Sequence, residues 1–165
     1  VNLNAEEART LLAMTEGNTA HSLFETSVAR IGAGTCQVGL RDSQALLADC
    51  VAAVRAARLP DGALPQIHIS GCPSSCGTHQ TGALGFRGAA KVRDGRPQPA
   101  FTLFAGGCSR QGHEAMGREI GIMLWENIPA FLVALGQTVA AAGQDYAAWY
   151  AANPSAIDTL AARYL

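Results

Sequence analysis

The sequence has few charged residues and no excess of positive charge. Charged residues make up 15% of the 165 residues, and the formal net charge is −1, so the composition does not indicate nucleic acid as a partner. No apolar run approaches the roughly 20 residues of a membrane-spanning helix. Residues 1–4 also lack the basic-then-apolar order of a signal peptide. We therefore expect a cytoplasmic protein that binds neither nucleic acid nor a membrane.

Internal repeats and low-complexity segments are absent as well, apart from alanine-rich helical stretches. A chain of 165 residues, 48% of them hydrophobic, is long enough for one domain with a real core and too short for two large ones. Residues 1–165 are therefore predicted to form a single domain. The chain does not begin with methionine, which suggests a fragment or a processed subunit.

The five cysteines are an odd number, and a chain of this size does not need disulfides for stability. Cys72 and Cys76 lie four residues apart in a turn that also contains Gly71, Pro73 and Gly77, directly after an apolar strand-like run. Such a turn can direct two thiolates and several backbone N–H groups at one point, which is how proteins hold iron–sulfur centres. The spacing therefore favours metal or cluster binding over a disulfide framework.

The other cysteines carry weaker signals. Cys36 follows Gly32 and Gly34, which allow the backbone to approach a bulky group, although a turn around a buried thiol is the alternative. Cys50 lies on the apolar face of a predicted helix and is expected in the core. Cys108 follows a predicted hairpin without a spacing partner, so we expect its loop to be a simple connection.

Two histidines flank the cysteine turn. His68 alternates with isoleucines on the preceding strand, and His79 lies three residues after Cys76. Histidine titrates in the range needed to deliver protons to a bound anion. A structural histidine with satisfied hydrogen bonds is nevertheless the favoured interpretation for each.

Strand, loop and helix signals follow one another along the chain, which predicts an α/β (α+β) domain built on a mixed sheet. The chain is predicted to open with a helix that has a capping box at Asn4 and ends at Gly17-Asn18. A strand over 24–29, a helix from Asp42 or Ser43 to about Arg58 and a strand over 65–69 are predicted to follow. A hairpin over 83–105 is predicted to turn at Asp94-Gly95. A loop over 106–112 is predicted to follow, and the remainder is predicted to be helical, with Asn153-Pro154 starting the last helix.

The first strand of the hairpin has little side-chain bulk. Gly85, Gly88, Ala89 and Ala90 are all small. A strand of this kind suits either a flat cofactor or another stretch of backbone lying across it.

Two stretches resemble the paired cluster motifs of the nitrite/sulfite reductase family. Gly32-Ala-Gly-Thr-Cys36-Gln-Val-Gly-Leu-Arg-Asp-Ser43 is similar to the first half of that signature. Gly71-Cys72-Pro-Ser-Ser-Cys76-Gly77, followed by Leu84-Gly-Phe-Arg-Gly88, is similar to the second half. The similarity also includes Phe101-Thr-Leu-Phe-Ala-Gly-Gly107 and the C-terminal helices, so it extends from about residue 24 onward.

The resemblance implies a [4Fe-4S] cluster held by four cysteines with the spacings C-x5-C and C-x3-C. By position, Cys36 matches the second cysteine, Cys72 the third and Cys76 the fourth. The fourth cysteine of the family also bridges to the iron of a sirohaem, where sulfite or nitrite is reduced by six electrons that a donor such as ferredoxin supplies. A shared thiolate couples the two cofactors electronically and sets their separation.

The pattern departs from the family at Arg30, which occupies the place of the first cysteine. A guanidinium stays protonated and offers iron no lone pair. One interpretation is an altered cluster held by three thiolates, with an open, water-ligated or missing iron, or with a fourth ligand from Cys108 or an external group. The others are an engineered change, an error in the sequence, and a degenerate site that binds nothing, with Arg30 paired to a carboxylate.

Proteins of the family consist of two pseudo-repeated halves with the sirohaem between them, and this chain resembles only the cluster-bearing C-terminal half. A first half-domain or a partner subunit is therefore implied. Arg41 and Arg87 are expected to meet sirohaem carboxylates or an acidic electron donor, as are Lys91, Arg93 and Arg110. For Lys91, Arg93 and Arg96, a solvated hairpin face is the alternative. No catalytic residue is predicted.

Three functions remain open at this point. The first is a sulfite- or nitrite-reducing oxidoreductase, or the cofactor-binding half of one. The second is a non-catalytic iron–sulfur module for electron transfer, without a haem. The third is a degenerate half-domain that only stabilises a partner, which Arg30 supports.

Overall fold

The computed structural model describes residues 2–16 and 19–165. It contains one mixed five-stranded sheet with helices packed against it, which confirms the predicted α/β class. The strands lie in chain order across the sheet. They are β1 (Val28–Ala29), β2 (Ile67–Ser70), β3 (Leu84–Arg93), β4 (Arg96–Ala105) and β5 (Arg118–Leu124).

The first three strands run parallel, and the last three are joined antiparallel. Strands β3 and β4 form the predicted hairpin, with Arg93 paired to Arg96 at its end. Asp94 and Gly95 between them have φ angles of 54° and 72°. Two consecutive positive φ angles are typical of the tight turn that the Asp-Gly pair predicts.

Five α-helices complete the fold: α1 (Ala5–Thr15), α2 (Ser43–Ala57), α3 (Ile128–Ala141), α4 (Tyr146–Ala152) and α5 (Ala156–Ala161). The predicted capping box of α1 is present, because the Asn4 side chain accepts from the N–H groups of Glu6 and Glu7. Its predicted end at Gly17-Asn18 lies outside the described residues. None of the helices in the described ranges is both long and apolar enough to cross a membrane.

Helix α2 forms as predicted and packs against β1, β2 and α3. Asp42 caps it by accepting a hydrogen bond from the N–H of Ala45 at 3.0 Å. Cys50 on its inner face is fully buried, which confirms the predicted core position. Burial in this apolar environment raises the pKa of the Cys50 thiol, since the charged thiolate is disfavoured there. The Cys50 side chain therefore acts as a small hydrophobic group.

Three local predictions are wrong. The segment predicted as a strand over 24–29 is a 3-10 turn at Phe24–Thr26, and only Val28–Ala29 pair with the sheet. The segment after Gly112, predicted to be helical, contains strand β5. Asn153 does not start the last helix but ends α4, with its side-chain amide donating to the Trp149 carbonyl at 3.0 Å.

The small residues of β3 accommodate backbone from the cysteine loop. A Cβ atom on Gly85 would lie 1.7 Å from the carbonyl oxygen of His79, and one on Gly88 would lie 2.1 Å from that of Gly71. The small residues of this strand were expected to accommodate either a flat cofactor or another stretch of backbone. At Gly85 and Gly88 the structure shows backbone. Glycine is required there because any side chain would displace the loop.

We expect Gly85→Ala to destabilise the domain by about 3 kcal/mol, because the added methyl group meets a carbonyl that cannot rotate away. Gly34→Ala is the matched control, since its nearest neighbour is the Asp42 carboxylate oxygen at 3.2 Å, on a side chain that can move. Urea denaturation of both variants measures the difference. Equal midpoints for the two variants would contradict the close approach at Gly85.

Helix α4 contributes an aromatic cluster to the core. Tyr146 and Trp149 are each 4% exposed, and the Tyr146 ring stacks on Tyr150 at 5.8 Å. The Tyr146 hydroxyl is buried and has no hydrogen-bond partner among the described residues. Burial raises its pKa, so the hydroxyl remains protonated. An unsatisfied buried hydroxyl lowers the stability of the fold.

We expect Tyr146→Phe to stabilise the domain by about 1 kcal/mol, because it removes this unsatisfied group while keeping the ring. Tyr164→Phe serves as a control, since that side chain is only half-buried. Thermal unfolding monitored by circular dichroism gives the comparison. A lower melting temperature for Tyr146→Phe would show that the hydroxyl has a partner in solution.

Candidate functional site

The loop that carries Cys72 and Cys76 follows β2 and is held by hydrogen bonds close to the strand. The Ser70 hydroxyl accepts from the Gly77 N–H at 3.1 Å, and the Thr78 N–H donates to the Ser75 carbonyl at 2.8 Å. Ser75 and Thr78 have φ angles of 57° and 52°. Left-handed conformations at two non-glycine residues are uncommon, and such strain is often found at functional sites.

The segment that carries Cys36 is joined directly to this loop. The Gly71 carbonyl accepts hydrogen bonds from the N–H groups of Leu40 and Arg41, at 3.1 and 2.9 Å. A Cβ atom on Gly71 would lie 2.6 Å from the Arg41 carbonyl oxygen, so the two segments meet backbone to backbone. The turn around Cys36 is closed by its own N–H, which donates to the Gly32 carbonyl at 2.9 Å. Two segments distant in sequence thus adjoin at the residue before Cys72.

All five cysteines are free thiols in the described part of the chain. Cys36, Cys72 and Cys108 are partly exposed, and Cys76 is exposed. Hydrogen bonds from the Ser74 side chain and then its backbone lower the pKa of the Cys72 thiol. The Cys76 thiol donates to the Ser74 carbonyl at 3.7 Å. Accessible thiols of this kind are suitable soft ligands for iron.

No group of three or more His, Cys, Asp or Glu side chains in the described ranges is arranged to hold a metal ion. The three predicted ligands Cys36, Cys72 and Cys76 therefore do not form a single-ion site in this conformation. A polynuclear cluster separates its thiolates by its own width, so its ligands do not converge as closely as those of one ion.

Arg30 lies at the start of the Cys36 segment, beside β2. Its N–H donates to the Ile69 carbonyl at 3.1 Å, and its carbonyl accepts from the Ser43 hydroxyl. The side chain is exposed and forms no ion pair or hydrogen bond within the described residues. The alternative in which Arg30 pairs with a carboxylate is therefore not what the structure shows.

Of the basic residues predicted to meet a cofactor or an electron donor, Arg87 lies on β3 and Arg41 is hydrogen-bonded to it. The Arg41 Nε donates to the Ala89 carbonyl at 2.7 Å. The Arg87 guanidinium lies 3.3 Å from a Glu119 carboxylate oxygen and 5.1 Å from the centre of the Phe104 ring. Both side chains are half-buried, so their positive charges are fixed near the cysteine loop rather than freely mobile.

His79 is 3% exposed, with its Nδ1 2.9 Å from the Ser70 hydroxyl and its ring 4.9 Å from that of Phe104. Burial, and then the charge of Arg87, lower its pKa to about 4. These contacts fit the structural interpretation, since the ring is neutral at pH 7. His68 is half-buried, and its Nδ1 lies 2.9 Å from the Thr78 hydroxyl.

Sequence reasoning missed two participants. Ser70 is buried and links the cysteine loop to His79, and a serine between an apolar strand and Gly-Cys was an available signal. Glu119 pairs with Arg87 but lies on β5, the strand that was not predicted.

The sequence matches no protein family profile, and no curated protein matches it. A solved structure does match: the NirA protein of Mycobacterium tuberculosis, with a TM-score of 0.65 and 18% sequence identity. The alignment covers 81% of this chain and 26% of the NirA chain. This chain therefore spans about a quarter of the length of NirA. At this identity the likeness shows the fold alone, which is shared with this part of NirA.

The lowered pKa of His79 predicts a loss of stability in mild acid. The unfolded histidine has a pKa near 6.5, whereas the folded one has a pKa of about 4. The stabilising contribution is therefore complete above pH 6.5 and decreases as the pH falls toward 4. We expect the free energy of unfolding to fall by about 2 kcal/mol between pH 7 and pH 4.5. This decrease should be absent in His79→Gln and unchanged in the control His113→Gln, whose side chain is exposed.

Urea denaturation at the two pH values, with an NMR titration of the His79 ring, measures this effect. An NMR pKa near 6.5, or the same pH dependence in the wild-type protein and His79→Gln, would contradict the buried environment of the ring.

Proposed function

We propose that this chain is the cluster- and sirohaem-binding half of a sulfite or nitrite reductase. In this proposal residues 1–165 form that half as a single domain. The observation that supports this most is the double hydrogen bond to the Gly71 carbonyl, because it joins the Cys36 segment to the Cys72 loop. The fold shared with this part of NirA supports the same assignment independently of the cysteine spacing.

The donor set fits an iron–sulfur cluster in part. Cys36, Cys72 and Cys76 are accessible free thiols on two joined segments, and these residues would hold the cluster. The fourth position does not fit, since Arg30 cannot ligate iron. When bound, a [4Fe-4S] cluster supplies electrons, and the sirohaem iron supplies the site at which the anion is reduced.

The remaining residues of the site have binding and orienting roles in this proposal. Cys76 would hold the cluster and the sirohaem through its thiolate. Arg41 and Arg87 pair with sirohaem carboxylates, because a guanidinium matches a carboxylate in a bidentate way. Arg87 exchanges its pairing with Glu119 for this contact, which is possible since that ion pair is long and largely exposed.

The proposed activity needs components beyond this chain. Because the chain aligns with 26% of NirA, we propose a further half-domain, on a longer protein or on a partner subunit, that encloses the sirohaem. Sulfite or nitrite is the substrate, and a cytoplasmic electron donor such as ferredoxin supplies the electrons. If no further half-domain exists, the proposal reduces to an electron-transfer module that carries the cluster without sirohaem.

A second candidate function is a structural half-domain that binds no cofactor. Two observations favour it: Arg30 at the first ligand position, and the lack of a group of metal-binding side chains in the described residues. The two candidates differ in whether the remaining three thiolates bind iron.

Iron and acid-labile sulfide analysis of anaerobically purified protein separates the two candidates. We expect the wild-type chain to contain both, with fewer than four irons per chain, because only three thiolates are present. Arg30→Cys should increase the iron content, since position 30 is hydrogen-bonded to Ile69 at the end of the strand that precedes the cysteine loop. Arg96→Cys adds a thiol on the exposed hairpin and is the matched control.

Colourless protein without iron or sulfide in all three forms would overturn the cluster and support the structural half-domain. A cluster without tetrapyrrole absorbance, after reconstitution with sirohaem and the partner half, would support the electron-transfer module instead.

A further inference from the structure

A second concave site lies away from the proposed cluster ligands. It is a cavity of about 570 Å³ at the ends where β2 and β3 begin and β4 ends, closed on one side by the start of α4. This volume lies within the range of small-molecule sites. None of Cys36, Cys72 and Cys76 lines it. We call it the tyrosine pocket, after Tyr146 and Tyr150 in its wall.

The walls of the tyrosine pocket are mainly apolar. Leu64 and Pro65 lead into β2 and are buried. Across from them, the rings of Tyr146 and Tyr150 are stacked with an interplanar angle of 13°. Gly106, directly after β4, has a φ angle of 83°, which favours glycine, and a Cβ atom there would lie 2.6 Å from the Tyr150 hydroxyl. Flat aromatic walls of this kind favour an aromatic or aliphatic ligand body.

Two charged side chains line the same cavity, and they differ in how far they are already paired. The Asp145 carboxylate caps α4 by accepting from the Ala148 N–H at 2.8 Å, at the end of the helix that favours negative charge. Arg110 is exposed and forms no ion pair or side-chain hydrogen bond with any residue that the structure describes. Arg110 is therefore the charged side chain at the pocket that has no partner among the described residues.

We propose that the tyrosine pocket binds a small aromatic carboxylate. The ring packs against Tyr150, which is half-buried, and the carboxylate pairs with the Arg110 guanidinium, which presents a fork of donors suited to it. The thiol of Cys108 also lines the pocket and contributes polarizable surface to the ring. Cys108 and Arg110 were considered above as cofactor ligands, but none of the residues to which the proposed function assigns the cluster or the sirohaem lines this pocket.

A matched pair of probes tests both parts of the proposal. 1-Naphthoate and 1-naphthalenemethanol have the same ring system, but only the first carries a carboxylate. Fluorescence titration of the intact chain should give saturable binding of both, with naphthoate bound at least ten times more tightly. Arg110→Gln should abolish this preference and leave the affinity for the alcohol unchanged. Arg96→Gln, on the distant hairpin, should alter neither.

Blocking variants locate the binding. Ala147 lies on an exposed turn of α4 and lines the pocket, so Ala147→Trp should fill it and abolish binding of both probes. Ala148→Trp is the control at the neighbouring exposed position, which does not line the cavity. Circular dichroism verifies that all variants are folded. Equal affinity for the two probes, no saturable binding, or unaltered binding in Ala147→Trp would each overturn the proposal.

Discussion

The Gly71 carbonyl is the acceptor on which the arrangement of the site depends. It receives the N–H groups of Leu40 and Arg41, and it also lies against Gly88 of β3. Three segments distant in sequence therefore meet at one oxygen atom, which is possible only because both glycines lack a side chain. A Cβ on Gly71 would lie 2.9 Å from the Cα of Gly32, so even alanine would separate the segments. The two hydrogen bonds to the Gly71 carbonyl have ordinary lengths of 3.1 and 2.9 Å. The constraint on the site is therefore the close approach of the three backbone segments, which a side chain at Gly71 or Gly88 would prevent.

Local interactions explain why much of the fold could be predicted. The capping box of α1, the Asp42 cap of α2 and the Asp94-Gly95 turn each involve residues within a few positions of one another. Buried positions of α2 recur with helical spacing, so Cys50 could be assigned to the core. Such signals depend on backbone conformation and on hydrophobic periodicity, and the sequence carries both.

Non-local contacts explain two of the features that the sequence did not predict, and a local hydrogen bond explains a third. Strand β5 begins with Arg118 and Glu119 and contains a glycine, so its pattern is weak, and it forms because β4 offers an unpaired edge. In the segment over 24–29, the Thr26 hydroxyl donates to the Leu23 carbonyl at 2.7 Å, which competes with strand pairing. The small residues of β3 allowed either a cofactor or a backbone, and only the fold of the cysteine loop decides between them.

The candidate site shows the same division. Cysteine types and spacings indicate the chemistry of the donors, whereas the contact between the Cys36 segment and the Cys72 loop is visible only in the structure. The sequence alone shows that Arg30 replaces the first cysteine of the motif. Only the structure shows that position 30 lies beside Ile69 near the end of β2, next to the cysteine loop. The fold thus resembles that of part of NirA, and three cysteines stand where the similar sequence motifs of the nitrite/sulfite reductase family have four.

The central claim is that these three cysteines share one inorganic centre. X-ray absorption at the iron edge, on anaerobic protein, tests it most directly because it reports the neighbours of iron. The account predicts sulfur neighbours together with iron–iron scattering, both lost in Cys72→Ser. Iron surrounded only by oxygen and nitrogen neighbours, or a spectrum unchanged by Cys72→Ser, would contradict it.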